Sequence, residues 1–378
     1  MSNRPAWDDD PIVSSWAGLP VLDDAVTADA CVVGLGGSGL AAVDALVCRG
    51  LDVVAIDAGR TAAGAAGRNG GFLLGGPATF LHSALESWGG VAVELYRKTL
   101  EEIDSLEAKL GSSVIRRTGS IRLAGLPGNT DDAELSDCRT LSRVLGEHGI
   151  AAETYDDELG QGIFLPDDAV MNPARRALGL ASQLRLRAQL FEHSPVTSIR
   201  SGYVETRNGS VSAAFVIVAV DGKLDRIFPQ LQGRIRTARL QMLATEPVLS
   251  RRLPCPVYGR WGYDYAQQDS EGRLYVGGGR DLFADDEWTD SDEPTATVQR
   301  HIESVAQSMA GHPVEVTKRW AASVGFTEDG RPLCTTVDDG VIALGGYNGT
   351  GNLVGPVAAR AAVEHLLDGA PVPGYLSA

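Results

Sequence analysis

The run from Ala30 to Asp57 narrows the choice of fold more than any other stretch of the chain. Ala30-Cys31-Val32-Val33 is a short apolar, β-branched run, and Gly34-Leu35-Gly36-Gly37-Ser38-Gly39 follows at once. Leu40 to Cys48 reads as a helix, with Leu40, Val43, Leu46 and Val47 on one apolar face and Asp44 toward solvent. Gly50 stops it, and Val53-Val54-Ala55-Ile56 forms a second buried strand that ends at Asp57. Strand, G-x-G-x-x-G, helix, strand and acid in this order make a dinucleotide-binding unit of the Rossmann type. Gly34 permits the tight turn, Gly36 lets the backbone approach a pyrophosphate, and Gly39 lets helix pack on strand. Gly37 and Ser38 open the helix, whose free N–H groups and positive dipole end suit a diphosphate. Asp57 stands 18 residues after Gly39, where its carboxylate accepts from a ribose diol and repels a 2′-phosphate.

The rest of the chain alternates in type. Residues 1–28 read as an irregular leader broken by Pro5, Pro11 and Pro20. The 61–78 stretch is Gly/Ala-rich without period, and its place directly after the Rossmann unit marks it as more than a linker. Helices are expected over 91–110, on the stripe Leu95, Ile103, Leu106 and Leu110, and over 131–148, on Leu135, Cys138, Leu141 and Leu145. From about 196 short strands take over: 196–199, 203–206 and 214–220, with 273–276 farther on. A helix over 295–310, a buried strand at 341–344 and a terminal helix over about 355–368 complete the pattern.

At 378 residues and 44% apolar composition, the chain can bury a sizeable core in about two domains. Its net charge of −16 disfavours nucleic acid and anionic membranes as partners. No apolar run of about 18 residues occurs, so no membrane span is expected. The first 30 residues carry Asp8, Asp9 and Asp10 without an apolar core, so no signal peptide is expected either. Five cysteines without a C-x-x-C pair, and six histidines without ligand spacing, point away from a disulfide scaffold or a metal site and toward a reduced, cytoplasmic setting.

The fingerprint alone does not separate NAD from FAD. Two features favour FAD: the Gly-rich 64–76 segment after the second strand, placed to reach the far end of a long cofactor, and a last strand running into Gly345-Gly346-Tyr347-Asn348-Gly349-Thr350-Gly351 at the head of a helix. That turn aims N–H groups and a helix dipole at one point, which suits the negative end of a reduced flavin. An NAD-dependent dehydrogenase leaves this C-terminal turn unexplained.

Six segments in order resemble the FAD-dependent D-amino-acid-oxidase-type oxidoreductases, most closely their γ-glutamylputrescine oxidase-like branch. They are Gly34 to Gly39, Gly64-Ala65-Ala66-Gly67-Arg68-Asn69-Gly70-Gly71, Val216 to Ala219, Gly272 to Gly279, Asp329-Gly330-Arg331-Pro332 and Gly346 to Gly351. The resemblance covers about residues 5 to 370. It implies an α/β plus α+β architecture: a discontinuous Rossmann-type FAD domain from 1–79, 165–222 and 315–378, and an antiparallel-sheet substrate domain from 80–164 and 223–314. It implies FAD held without a covalent bond, with Ala58 beside Asp57 and Val196 against the adenine; Arg68 and Asn69 either hydrogen-bond the flavin edge or merely hold their loop, and the resemblance favours the former. The family's C-terminal turn usually reads Gly-x-Ser-Gly-His-Gly; here Asn348 and Thr350 replace the Ser and the His. Cys334 lies 11 residues before Gly345, the wrong place for a flavin attachment site.

The implied reaction is hydride transfer from the carbon next to nitrogen of a small amine or amino acid to flavin N5, with oxygen or another acceptor reoxidising the flavin. A substrate carboxylate wants a bidentate arginine in a dry pocket, for which Arg280 and Arg331 are the candidates, each otherwise a surface arginine paired with Asp281 or Asp329. Tyr263 and Tyr265, two apart on an expected strand, share a face that can wall the pocket, with Tyr258 and Trp261 nearby. Two alternatives to an oxidase stay open: an FAD dehydrogenase that passes electrons to a partner or quinone, and a flavin-binding module without turnover.

Overall fold

Continuous β-branched runs bury best at the centre of a sheet covered on both faces, and the chain places them there. The computed structural model describes residues 3–377; Met1, Ser2 and Ala378, the ends of the expected leader and C-terminal segment, lie outside the described residues. The first sheet has eight strands. Ala25–Val33 runs parallel to Val53–Ile56 on one side and to Ser210–Val218 on the other. Gln189–Phe191 extends it beyond Val53–Ile56, and Val341–Gly345 pairs in parallel with the end of Ser210–Val218. Tyr203–Thr206, Val196–Arg200 and Leu333–Asp338 add antiparallel edges. The helices Gly37–Cys48 and Val354–Asp368 pack on this sheet and on each other through Leu40, Val43, Leu46, Val357 and Ala358.

The second eight-stranded sheet runs in the order Val316–Phe326, Arg236–Pro247, Arg273–Gly278, Asp264–Gln268, Val257–Gly259, Ser120–Leu123, Gly160–Leu165, Glu153–Asp157. All its pairings are antiparallel except that between Val257–Gly259 and Ser120–Leu123. Ala296–Ala310 covers one part of it through Val298, Ile302, Val305 and Met309, and Asp132–Glu147 covers another through Cys138, Leu141 and Leu145. The long helix Val91–Leu110 spans 20 residues and buries Leu95, Ile103 and Leu106, while Leu110 is only partly buried.

Four expectations change. Val316–Phe326 falls within the segment 315–378 expected beside the cofactor sheet, yet it pairs along its length with Arg236–Pro247 of the second sheet. The leader carries regular turns: Ala6–Asp9 is a 3-10 turn and Pro11–Ser14 one helical turn. Pro11 starts that turn instead of breaking it, because the first helical position needs no N–H. Trp7 of the leader is buried, stacked on Tyr275 with ring centroids 3.7 Å apart. Asp44 does not face solvent: it receives Lys109 Nζ at 2.5 Å and lies 3.8 Å from Arg360 Nη1, in the seam between three helices. Tyr263 precedes the strand Asp264–Gln268 and does not form part of it.

Candidate active site

The two sheets meet along one cleft of about 1070 Å³. At its inner end lie Gly34, Leu35, Gly36, Gly37 and Ser38, with Asp57, Ala58 and Val196 beside them. Its middle is walled by Ala65, Ala66, Arg68, Asn69 and Gly70 from one loop and by Tyr347 to Asn352 from another. The outer chamber holds Phe72, Phe80, Arg122, Tyr258, Trp261, Tyr263, Tyr265 and Arg280.

The glycine fingerprint has a separate physical reason at each position. Gly34 has φ +104°, and a Cβ there would stand 2.6 Å from the Ala219 carbonyl oxygen. At Gly39 a Cβ would fall inside the Gly34 carbonyl, so this glycine sets the helix against the strand turn. Gly36 has ordinary backbone angles, and a Cβ there would touch only Ala66 Cβ at 3.6 Å; its bareness serves the cleft. Among the described residues no side chain caps the helix Gly37–Cys48, which leaves the N–H groups of its first turn for a ligand, whereas in Val354–Asp368 the first N–H groups already donate to the Thr350 and Gly351 carbonyls at 3.2 and 3.3 Å and Pro356 has none. Asp57 fixes the turn: Oδ2 accepts from Leu35 N at 2.7 Å and Oδ1 from Gly59 N at 2.8 Å. Burial holds its pKa above the usual carboxylate range. Each oxygen keeps a second lone pair for a cleft ligand.

The second loop is held by side chains. Asn69 donates from Nδ2 to the Ala65 and Ala66 carbonyls at 3.0 and 3.2 Å, and its Oδ1 accepts from Gly71 N at 2.8 Å. Arg68 borders the cleft, but its guanidinium is spent on the chain: Nε donates to Ala321 O at 2.9 Å and Nη2 to Asn3 O at 2.7 Å. These bonds make it a tie between the loop, the leader and the strand Val316–Phe326. Gly67 and Gly71 lie beneath the surface, where a Cβ would strike the Ala62 and Met171 carbonyls.

In the C-terminal turn Asn348 has φ +55°, a region that Asn tolerates. Its side chain accepts from Thr327 N at 2.9 Å and donates to the Gly330 and Gly346 carbonyls at 2.9 and 2.8 Å. Thr350 turns its hydroxyl back onto Tyr347 O at 2.8 Å. Gly346 has φ +65° and sits behind the cleft wall; Gly349, at φ +89°, has no atom within 4 Å of an added Cβ. Asp221, half-buried in the cleft wall and with a pKa pushed up to about 6 by desolvation, accepts from Gly325 N at 2.9 Å and Tyr347 N at 3.3 Å, so it braces the same turn.

The outer chamber is aromatic. Phe72 makes edge contacts with Tyr258 and Tyr265 at centroid distances of 5.9 and 5.5 Å. Burial pushes both phenols above their ordinary range, so each stands as a neutral hydrogen-bonding group. Arg280 packs over Phe326 at 4.4 Å, and Asp281, its expected partner, is taken by Arg260. Arg331 lies outside the cleft, paired with Asp329 at 2.8 Å. Trp261 is fixed over the mouth by its indole N–H to Asp137 at 2.7 Å. Cys334 is buried on its strand away from the cleft, its thiol pushed up to about 12.

Two cleft residues that sequence reasoning did not single out are buried arginines. Arg122 lies between the rings of Phe80 and Tyr258, at 4.5 and 4.9 Å, and its Nε has no partner. Arg176 lies beside Gly37, with Nε and Nη1 unpartnered. Nothing local marks either one. A lone arginine at 122 or 176 reads as a surface residue until the fold buries it.

A long cleft lined by bare glycines at one end, an uncapped helix start and a buried guanidinium without an ion-pair partner among the described residues fits an extended anionic dinucleotide. The family model described as FAD dependent oxidoreductase matches residues 29–365. The chain belongs to that family of FAD-dependent oxidoreductases. It is 26% identical over 384 residues to gamma-glutamylputrescine oxidoreductase of Escherichia coli (strain K12), covering 93% of this chain and 87% of the relative. Its fold is that of glycine oxidase from Geobacillus kaustophilus, at a TM-score of 0.75 and 18% identity over 92% of this chain and 96% of that one. L-proline dehydrogenase from P. horikoshii gives the same TM-score at 17% identity, with 93% and 96% covered. Among the described residues no helix is long and apolar enough to cross a membrane, and no group of three or more His, Cys, Asp or Glu could hold a metal ion.

Proposed function

We propose that this protein oxidises a small amine or amino acid at the carbon next to nitrogen. The observation that carries the reading is the outer chamber, an aromatic space continuous with the cofactor loops and containing guanidinium groups with no carboxylate partner. Neither Arg122 nor Arg280 has a carboxylate within ion-pair distance among the described residues. When bound, the flavin supplies the acceptor for the hydride.

The chain's own residues do the rest. Gly34 to Ser38 and Asp57 hold the dinucleotide, and Asn69 and the Tyr347–Gly351 turn hold the ring end. Phe72, Tyr258 and Tyr265 exclude water from the reacting carbon, which strengthens the charged contacts around it. Arg122 and Arg280 orient a substrate carboxylate, and Tyr265 donates or accepts at its neutral hydroxyl. Five unpaired cysteines suit a reduced, cytoplasmic setting. Oxygen or another acceptor completes the turnover.

An anaerobic screen of amines and of D- and L-amino acids, following loss of the oxidised flavin absorbance, tests the reading. Rapid bleaching by one of these classes is the expected result. Reduction by dithionite alone makes the protein a flavin-binding module instead. Oxygen uptake with the active substrate then separates an oxidase from a dehydrogenase that needs another acceptor. In Arg122→Gln, the bleaching rate with a carboxylate-bearing substrate should fall at least tenfold, about the strength of one charged hydrogen bond. A rate equal to wild type would remove Arg122 from the site.

A further inference from the structure

Arg176 is a buried cation without an anion. It projects from the helix Pro173–Leu184 and is 1% exposed. One nitrogen, Nη2, donates to Asn352 O at 3.1 Å; Nε and Nη1 have no partner. No carboxylate lies within ion-pair distance among the described residues. Glu102 attracts it from farther off, but that carboxylate is already bonded to Arg360, at 3.2 Å from Nε, and Arg360 repels it. Burial lowers its pKa to about 10, so at physiological pH it remains charged.

Its position is specific. A Cβ on Gly37 would stand 2.5 Å from Nη1, which puts the guanidinium against the first residue of the uncapped helix Gly37–Cys48. The carbonyl that accepts from Nη2 belongs to Asn352, two residues before the helix Val354–Asp368. The open N-terminal end of Gly37–Cys48 and a full positive charge therefore converge on one wall of the cleft, which Arg176, Gly37, Ser38 and Asn352 line. Like charges brought together in a buried place repel, and unpaired buried donors cost free energy. A polyanion in the adjoining cleft offsets the repulsion and the cost of the buried charge.

We propose that Arg176 is a charged ligand of the cofactor diphosphate, reaching it from the middle segment of the chain and not from the glycine loop itself. The inference rests on FAD as the cofactor. It gives the bare Gly37 a second purpose: any side chain there would displace the guanidinium as well as crowd the phosphate. Arg176 thus joins the N-terminal unit, the middle segment and the C-terminal turn through one ligand.

The test compares the full-length wild type with Arg176→Met and Arg176→Lys, each stripped of flavin and titrated with FAD, with the melting temperature read before and after saturation. Arg176→Met should bind FAD about ten- to a hundredfold more weakly, the strength of a charged hydrogen bond. Arg176→Lys, which keeps the charge, should lose less. The flavin-free Arg176→Met should melt at or above the wild-type temperature, since an unpaired buried charge has been replaced by an apolar chain of similar length. Its stabilisation by FAD should shrink in step with the affinity. A flavin-free Arg176→Met that melts lower or does not fold, or either variant binding FAD as wild type does, overturns the proposal and leaves Arg176 a brace for Asn352. A wild type that fails to take up FAD would instead remove the cofactor on which the inference rests.

Discussion

The side-chain amides of Asn69 and Asn352 bond to each other in both directions, Nδ2 to Oδ1, at 3.1 and 3.0 Å across 283 residues of sequence. Asn352 also donates to Phe72 O at 2.9 Å, so the pair joins the Gly-rich loop after the second strand to the turn before the last helix. The two loops that wall the middle of the cleft are thereby held as one unit. Asn69→Asp turns the Ala65 and Ala66 carbonyls, and Asn352 Oδ1, from bonded acceptors into acceptors facing a carboxylate. It should cost about 2–3 kcal/mol, the penalty for unsatisfied buried groups, and lower the flavin content. Chemical denaturation and the flavin-to-protein absorbance ratio check this. Wild-type values for both would show that the loops are positioned by something else.

Gly36 and Gly39 should fail in different ways. A side chain at Gly36 meets only Ala66 at 3.6 Å, so Gly36→Val should fold and lose flavin. A side chain at Gly39 collides with the Gly34 backbone, so even Gly39→Ala should lose soluble, folded protein. Circular dichroism and flavin content separate the two outcomes. A folded, flavin-replete Gly36→Val would mean that the diphosphate does not pass over this loop.

The C-terminal turn gives a second contrast. The Thr350 hydroxyl closes a bond within its own turn, so Thr350→Ala should cost about 1 kcal/mol and retain flavin. Asn348→Ala removes bonds to Thr327, Gly330 and Gly346 and places a non-glycine, non-Asn residue at φ +55°. It should cost about 2–4 kcal/mol and lose flavin. If Thr350→Ala emptied the site and Asn348→Ala did not, side-chain contacts at position 350 would hold the cofactor.

Asp168 should make stability depend on pH. It is 1% exposed, accepting from Ser120 Oγ at 2.6 Å and from Gly75 N at 2.8 Å, and burial raises its pKa from 3.8 to about 6. A carboxyl whose folded pKa is raised binds its proton more tightly in the folded state. Its contribution is therefore fully present below about pH 4 and is lost as pH rises through about 6. Asp168→Asn mimics the protonated form at every pH. It should be more stable than wild type at pH 7, by up to about 3 kcal/mol, with the gain vanishing below pH 4. Melting curves across that window decide it, and a gain that grows toward low pH would reverse the assignment.

The sequence by itself determined the elements whose cause is local. The strand ending at Val33, the glycine turn, the helix to Cys48 and the strand Val53–Ile56 follow from period and backbone freedom, and the structure places them within a few residues of where the pattern does. The helices Val91–Leu110 and Ala296–Ala310 were legible for the same reason. Asp57 was legible as a cleft residue because it ends a strand of that unit. What only the tertiary structure decided depends on partners far away in the chain. Arg68 turned inward because Ala321 and Asn3 arrive beside it, and Arg331 stayed outside because Asp329 sits next to it. Val316–Phe326 joined the second sheet because Arg236–Pro247 offered an open edge. Arg122 and Arg176 became cleft residues only when other elements buried them without an acid. An arginine carries no local signature of its burial: the same side chain is a solvated charge on a helix surface and an anion site when the fold withholds its counter-ion.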